Sequence, residues 1–106
     1  VVGRLMAVGV ERYHTDLQRS EKTYFLPTGE SYLLATHTIS ETPAPQFSAE
    51  GVAAAVRQIQ AGKIHYIRFC EDIMRAGCVG YIVSLSGQRA VYYGRSGETY
   101  VEPFPS

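Results

Sequence analysis

Residues 77–102 read GCVGYIVSLSGQRAVYYGRSGETYVE. After Gly77 the large apolar residues alternate: Val79, Tyr81, Val83 and Leu85 fall on one face of an extended segment. A period of two with β-branched and aromatic residues predicts a strand. Ser86-Gly87 is a short turn, 89–93 returns as a second strand, 94–97 (GRSG) turns again, and 98–102 forms a third. Turn residues between alternating runs predict a three-stranded antiparallel meander.

Nearly the same text stands earlier in the chain. Residues 9–34, GVERYHTDLQRSEKTYFLPTGESYLL, align without a gap at an offset of 68 residues, the distance from Gly9 to Gly77. Gly9, Tyr13, Leu17, Tyr24, Gly29, Glu30 and Tyr32 are identical to Gly77, Tyr81, Leu85, Tyr92, Gly97, Glu98 and Tyr100. The matches fall on glycines with special backbone roles and on regularly spaced apolar residues, so the repeat encodes a fold unit and not a reaction. Strands are predicted at 11–17, 22–26 and 30–35, with Pro27 and Gly29 supplying the fixed and the positive φ of the second turn.

Upstream of Gly77 the period becomes helical. Ser48 is placed as an N-cap, and Glu50 in the first turn suits the helix dipole. Val52, Ala55, Val56 and Ile59 recur at i, i+3, i+4 and i+7, predicting a helix over 49–61 that Gly62 stops. A second helix is predicted over 64–76, with Ile67, Cys70, Ile73 and Met74 as its stripe and Gly77 as left-handed cap. Leu5, Met6 and Val8 match Ile73, Met74 and Ala76, so the chain is expected to begin inside the counterpart of that helix. Residues 36–47, THTISETPAPQF, carry two prolines and little periodicity, as a linker does.

These signals predict an α+β, two-layer fold made by internal duplication of a helix plus a three-stranded antiparallel meander, that is, αβββ repeats. One domain is expected over 1–106, with repeat one at 1–35, the linker at 36–47 and repeat two at 48–106. A chain of 106 residues holds one core and not two, so the repeats should share it.

Ten basic and ten acidic residues give zero formal net charge. A general nucleic-acid or anionic-membrane surface would need a basic excess, so neither partner is expected. No run approaches the ~18 apolar residues of a membrane span. Two cysteines, Cys70 and Cys78, are too few for a disulfide framework and read as reduced, packed thiols of a cytoplasmic protein.

His14, His37 and His65 lack metal-ligand spacing, and no paired CxxC accompanies them, so neither metal nor cofactor is expected. Cys70 lies mid-helix on an apolar stripe, without the helix N-terminus or neighbouring cation that would activate a nucleophile. No catalytic residue is assigned. Glu30 and Glu98 would form a carboxylate pair if the repeat brought them together, which acid–base work would require along with desolvation of one of them. The tyrosines are the most suggestive set. Tyr13, Tyr24 and Tyr32 match Tyr81, Tyr92 and Tyr100, and they serve either as a packed sheet face or as the lining of a cleft. The ligand-binding candidates are therefore Tyr24, Tyr32, Tyr92, Tyr100, Glu30 and Glu98.

Residues 62–105, GKIHYIRFCEDIMRAGCVGYIVSLSGQRAVYYGRSGETYVEPFP, resemble the C-terminal half of a small bacterial family of unknown function. That family includes prophage-encoded proteins of the YdfO type, sometimes labelled phage envelope protein. Gly62-Lys63, Tyr66, Phe69-Cys70, Gly77, Tyr81, Tyr92-Tyr93 and the Gly97 turn carry the resemblance, and GVERY, TYF and Gly29 extend it to the first half. It implies a small two-layer α+β domain preceded by roughly one further helix pair, and no known activity, cofactor or catalytic residue.

The function expected is that of a non-catalytic binding or regulatory domain, prophage-associated by resemblance, with an unknown small ligand or protein partner. Two alternatives stand beside it: a small enzyme using a Tyr- and Glu-lined cleft between the repeats, and a structural or interaction protein. A sheet face carrying Leu17, Phe25 and Leu33 without helices of its own would expose an apolar patch, so a homodimer is expected.

Overall fold

The computed structural model describes residues 7–105. Its strands are β1 (Arg12–Asp16), β2 (Glu21–Phe25), β3 (Ser31–Ala35), β4 (Cys78–Ser84), β5 (Arg89–Gly94) and β6 (Thr99–Pro103). Two helices, α1 (Ala49–Gln60) and α2 (Tyr66–Arg75), lie between β3 and β4. Each element sits within two residues of its sequence-based position.

The architecture differs from the duplicated helix-plus-meander expected above. The described residues run strands first, both helices belong to a single connection, and all six strands form one antiparallel sheet in the order β3-β2-β1-β4-β5-β6. The helical stub expected at 1–8 falls largely on residues 1–6, outside those described. The physical reason is edge pairing. Two separate meanders would leave the first strand of each with an unpaired backbone, a standing liability. Here β1 and β4 satisfy each other, with Thr15 opposite Tyr81 and Tyr13 opposite Val83. The amide of Leu85 donates to Glu11 and that of Leu17 to Val79, extending the seam beyond both strands.

The hairpin turns reuse the same chemistry at matching positions. The Asp16 carboxylate accepts from the amides of Gln18 and Arg19, and the Ser84 hydroxyl accepts from that of Gly87. Side-chain acceptors of this kind shape short turns, and here Ser20 and Gln88 tolerate positive φ of 55° and 52°.

Both helices lie on one face of the sheet, α2 against β4 and α1 against α2 and β6. The Ser48 hydroxyl caps α1 by accepting from the Gly51 amide at 3.0 Å, as its position in the sequence predicts. Val52, Val56, Phe69, Cys70, Ile73 and Met74 meet Leu17, Tyr81, Val83, Ala90 and Tyr92 in the core. A bulge between Cys78 and Gly80 reverses the alternation of β4, which turns Cys78 inward to full burial. Residues 36–47 are strapped across the molecule: the Ala44 amide donates to Met74, that of Ser48 to Ala76, and the Arg95 guanidinium to the Pro43 carbonyl.

The apolar patch expected from Leu17, Phe25 and Leu33 does not form. Leu17 is 2 % exposed beneath the helices, whereas Phe25 and Leu33 belong to the opposite face of the sheet. That outer face carries Leu33, His14, Ile82, Val91 and Val101 in one cross-strand row. Among the described residues no helix is long and apolar enough to cross a membrane.

Gly77 ties α2, β4 and the strap together. Its φ is +91°, and a Cβ there would lie 2.2 Å from the Gln46 carbonyl oxygen and 2.7 Å from the Phe47 Cα. Gly97, at φ +86°, has open space instead. Gly97→Ala should therefore cost about 1 kcal/mol for the left-handed backbone alone. Gly77→Ala should cost about 3 kcal/mol or more, since backbone must also move. Urea denaturation of both variants checks the difference, and equal losses would refute the close approach.

Candidate functional site

Cross-strand register sorts the six tyrosines matched by the repeat onto one face. On the helix side Tyr32, Tyr24 and Tyr13 stand opposite one another across β3, β2 and β1. Tyr81, Tyr92 and Tyr100 do the same across β4, β5 and β6. At the seam Tyr13 faces Val83 and Thr15 faces Tyr81, so the band steps by two residues and crosses the sheet with one tyrosine per strand. Neighbouring rings pack in tilted contact, 5.4 Å between Tyr13 and Tyr24 and 5.1 Å between Tyr81 and Tyr92. Such pairs add to simple burial.

The helices cover this band unevenly. Tyr81 and Tyr92 are buried, whereas Tyr32 is 53 % exposed. Where cover ends, at the start of α2, the Tyr66 hydroxyl meets that of Tyr81 at 2.5 Å. Beside it a cleft of about 530 Å³ opens, lined by Lys22, Tyr24, Leu34, Ala35, Thr36, His37 and Tyr66. Behind Thr36, His37 and Tyr66 lies a void of about 10 Å³ that reaches Thr15, Ile39 and Cys70.

Lys22 is the unusual occupant. It takes an inward position of β2, opposite Thr15 on one side and Leu34 on the other. Its ammonium lies 4.6 Å from the centre of the Tyr66 ring and 5.5 Å from that of Tyr13. No carboxylate among the described residues pairs with it. Burial lowers its pKa, which the nearby Cys70 thiol partly opposes. Two ring faces offset part of the desolvation of a cation and leave its charge available.

Two phenols and a thiol near it are held neutral. Burial raises the phenols of Tyr66 and Tyr81 and the thiol of Cys70, so all three stay protonated at neutral pH. The Thr15 hydroxyl is buried without a hydrogen-bond partner among the described residues. It stands near enough to Tyr81 to favour the phenolate slightly, but not in hydrogen-bonding geometry. The site thus offers one cation, several neutral hydroxyls and two aromatic walls.

The sequence-based candidates are scattered across this frame. Tyr24 lines the cleft, and Tyr32 sits on the β3 edge with its hydroxyl donating to Glu30 at 3.1 Å. Tyr92 is a core residue, and Tyr100 donates to Glu102 at 2.5 Å near the other edge. Glu30 also accepts from the Thr28 hydroxyl, while Glu98 lies in the β5–β6 turn. These glutamates adjoin β3 and β6, the two edges of the sheet. Five inter-strand steps of about 4.8 Å separate them by roughly 24 Å, so they make no carboxylate pair. His14 lies on the outer face, bonded to the Tyr93 hydroxyl at 2.7 Å across the backbone of Gly80. His37 lines the cleft and His65 occupies the N-cap of α2. Among the described residues no three His, Cys, Asp or Glu side chains are grouped to hold a metal.

Sequence reasoning missed Lys22, Tyr66 and Thr15. One signal for Lys22 was present: it alternates with Tyr24 at an inward strand position, where a charge is out of place.

No curated protein matches the chain in sequence. The chain belongs to the family described as protein of unknown function (DUF1398), whose model matches residues 2–103. Membership agrees with the unknown function implied by the resemblance of residues 62–105, and it carries no statement about prophage origin or the envelope.

The buried phenols and thiols make the fold sensitive to alkali. Burial pushes the Cys78 thiol up from 9.0 to about 11, and raises the phenols of Tyr66, Tyr81 and Tyr92. Because the folded pKa values lie above the unfolded ones, this stability is full below the unfolded pKa and is lost as pH rises through the folded one. Between about pH 9 and pH 11 the Cys78 thiol should lower the unfolding free energy by up to about 1.4 kcal/mol per pH unit, and each raised phenol should add a similar slope above about pH 10. Urea midpoints across that range, with tyrosinate absorbance as the probe, check this. Cys70 and Cys78, both free and buried, should react with a disulfide reagent only after unfolding.

Proposed function

We propose that this domain is a non-catalytic binding module whose cleft takes a small anionic ligand with an aromatic or apolar body. The observation that carries the reading is Lys22, half-buried on two tyrosine rings with no carboxylate partner among the described residues. A carboxylate or phosphate oxygen placed at its ammonium would gain a charge-assisted hydrogen bond in a partly desolvated setting. Tyr24 and Tyr66 would flank the ligand body, and Leu34 and Ala35 would contact its apolar edge. The unpartnered Thr15 hydroxyl beside the small void that shares Thr36, His37 and Tyr66 with the cleft supports the reading further, since buried hydroxyls are usually satisfied.

The favoured class is binding and not acid–base catalysis because Glu30 and Glu98 stand on opposite edges of the sheet and no carboxylate is among the residues lining the cleft. A regulatory role follows naturally if occupancy alters the exposed segment that includes Leu34, Thr36 and His37.

Titration of the isotopically labelled protein with benzoate, followed by amide shifts, tests the proposal. Saturable shifts are expected at Lys22, Tyr24, His37 and Tyr66, with none from the neutral analogue benzamide. Lys22→Met should weaken benzoate binding about tenfold or more, the loss of one charge-assisted hydrogen bond. Equal binding of benzoate and benzamide, or no effect of Lys22→Met, would refute it.

A further inference from the structure

The sheet ends in two edges of opposite character. On β6 the residues that bond inward to β5 are Tyr100 and Glu102, flanked by the Glu98 carbonyl accepting from Gly94 and the Phe104 amide donating to Gln88. Its outward backbone groups are therefore those of Thr99, Val101 and Pro103, and proline has no N–H to offer. Pro103 and Glu102 guard this edge as natural sheets commonly do. On β3 the Glu30 carbonyl accepts from Leu26 and the Thr36 amide donates to Ser20, so Tyr32 and Leu34 bond inward to β2. The N–H and C=O groups of Ser31, Leu33 and Ala35 point outward, with no backbone partner among the described residues. The strand SYLLA carries no charge, proline or bulge, and Tyr32, Leu33 and Leu34 are 53 %, 61 % and 56 % exposed.

We infer that β3 is a dimerisation edge whose occupant is β3 of a second copy of this chain, joining the two sheets into one across a twofold axis at Leu33. The sequence is self-complementary in that register. An antiparallel copy centred on Leu33 sets Ser31 opposite Ala35, Tyr32 opposite Leu34, and Leu33 opposite itself. The outward residues Ser31, Leu33 and Ala35 then form the hydrogen-bonded pairs, and each of their backbone groups finds a partner. Tyr32 and Leu34 form the closer non-bonded pairs, an aromatic–aliphatic contact of the kind that stabilises sheets. No like charges meet in this register, because Glu30 falls opposite Thr36 and not opposite another Glu30. The twofold is perpendicular to the sheet, so both helix layers share one side, and Tyr32 of the second copy stands beside Leu34 at the rim of the cleft. The inference rests on the strand edge and holds whether or not the cleft binds an anion.

Sedimentation velocity of the whole chain should show a dimer at tens of micromolar. Leu33→Pro removes one outward N–H at the axis and no hydrogen bond within the subunit, so it should give a folded monomer by circular dichroism. Ile82→Lys, in the middle of the outer sheet face, should leave the dimer intact. Amide exchange of the unmodified protein gives a readout independent of any variant: the Leu33 and Ala35 amides should exchange at least ~10-fold more slowly in concentrated than in dilute solution. A monomer at high micromolar concentration would overturn the inference, as would a dimer broken by Ile82→Lys, or exchange at Leu33 and Ala35 that ignores concentration.

Discussion

The pairing of β1 with β4 is the interaction on which the remaining structure depends. It joins two meanders that each end in an unsatisfied first strand, and it places Thr15 and Tyr81 side by side at the centre of six strands. Once that seam exists, the chain must travel from the β3 edge back to the middle of the sheet. The connection of residues 36–77 makes this journey, and its two helices can lie over only part of one face. A small domain gains by burying its central strands first, since these have neighbours on both sides and contribute most to a shared core. Leu17, just beyond β1, and the strand residues Tyr81, Val83, Ala90 and Tyr92 are accordingly sealed under Val52, Val56, Phe69, Ile73 and Met74.

Uneven cover explains the site. Because α2 packs on β4 and α1 on β6, the helix-side face of β2 and β3 is left to Tyr66 and the strap. Lys22 can occupy an inward position only because that face is incompletely covered; beneath α2 an ammonium would meet Ile73 and Met74 with nothing to offset its desolvation. Its stem lies along the tyrosine band and its charge rests on the rings of Tyr13 and Tyr66. The outer face has its own accommodation. A Cβ at Gly80 would lie 2.4 Å from the Tyr93 hydroxyl, so the glycine lets that ring lie flat across the strand and reach His14.

Much of this was legible in the residues. Alternation in Val79–Leu85, the Pro27 and Gly29 turn, the Ser48 cap and the Gly77 stop each report a local preference, and local preferences place elements. What was not legible is long-range register. The pattern within a strand says which residues share a face, but not which face of the next strand they meet. Leu17, Phe25 and Leu33 occupy similar places in successive strands, yet Phe25 pairs with Arg12, an outward residue, while Leu17 follows Thr15 inward. The bulge before Gly80 likewise inverts Cys78, and nothing in Cys-Val-Gly announces it. Glu30 and Glu98 suffered most from this gap. A repeat suggested a symmetric meeting, whereas end-to-end joining of two meanders sends their last strands to opposite edges. The cleft was illegible for the same reason, since Lys22, Tyr66 and Thr15 come together only through the β1–β4 seam and the return of α2.

The edges carry the consequence of the seam to its end. Closing β1 on β4 removes two of the four edges that separate meanders would present and leaves β3 and β6. These two edges differ within the same chain: β6 ends in Glu102-Pro103, while the matching positions of β3 hold Leu34-Ala35. Guarding one edge and leaving the other apolar, uncharged and fully able to hydrogen-bond makes little sense for a protein avoiding association at both. It does make sense if β3 is meant to be paired. The cleft borders that edge through Leu34, Ala35 and Thr36, so whatever pairs with β3 also sets the shape of the cleft's outer rim. Binding at Lys22 and pairing at Leu33 would then share a wall, and a ligand that favours one arrangement of that wall must bias the other in equal measure.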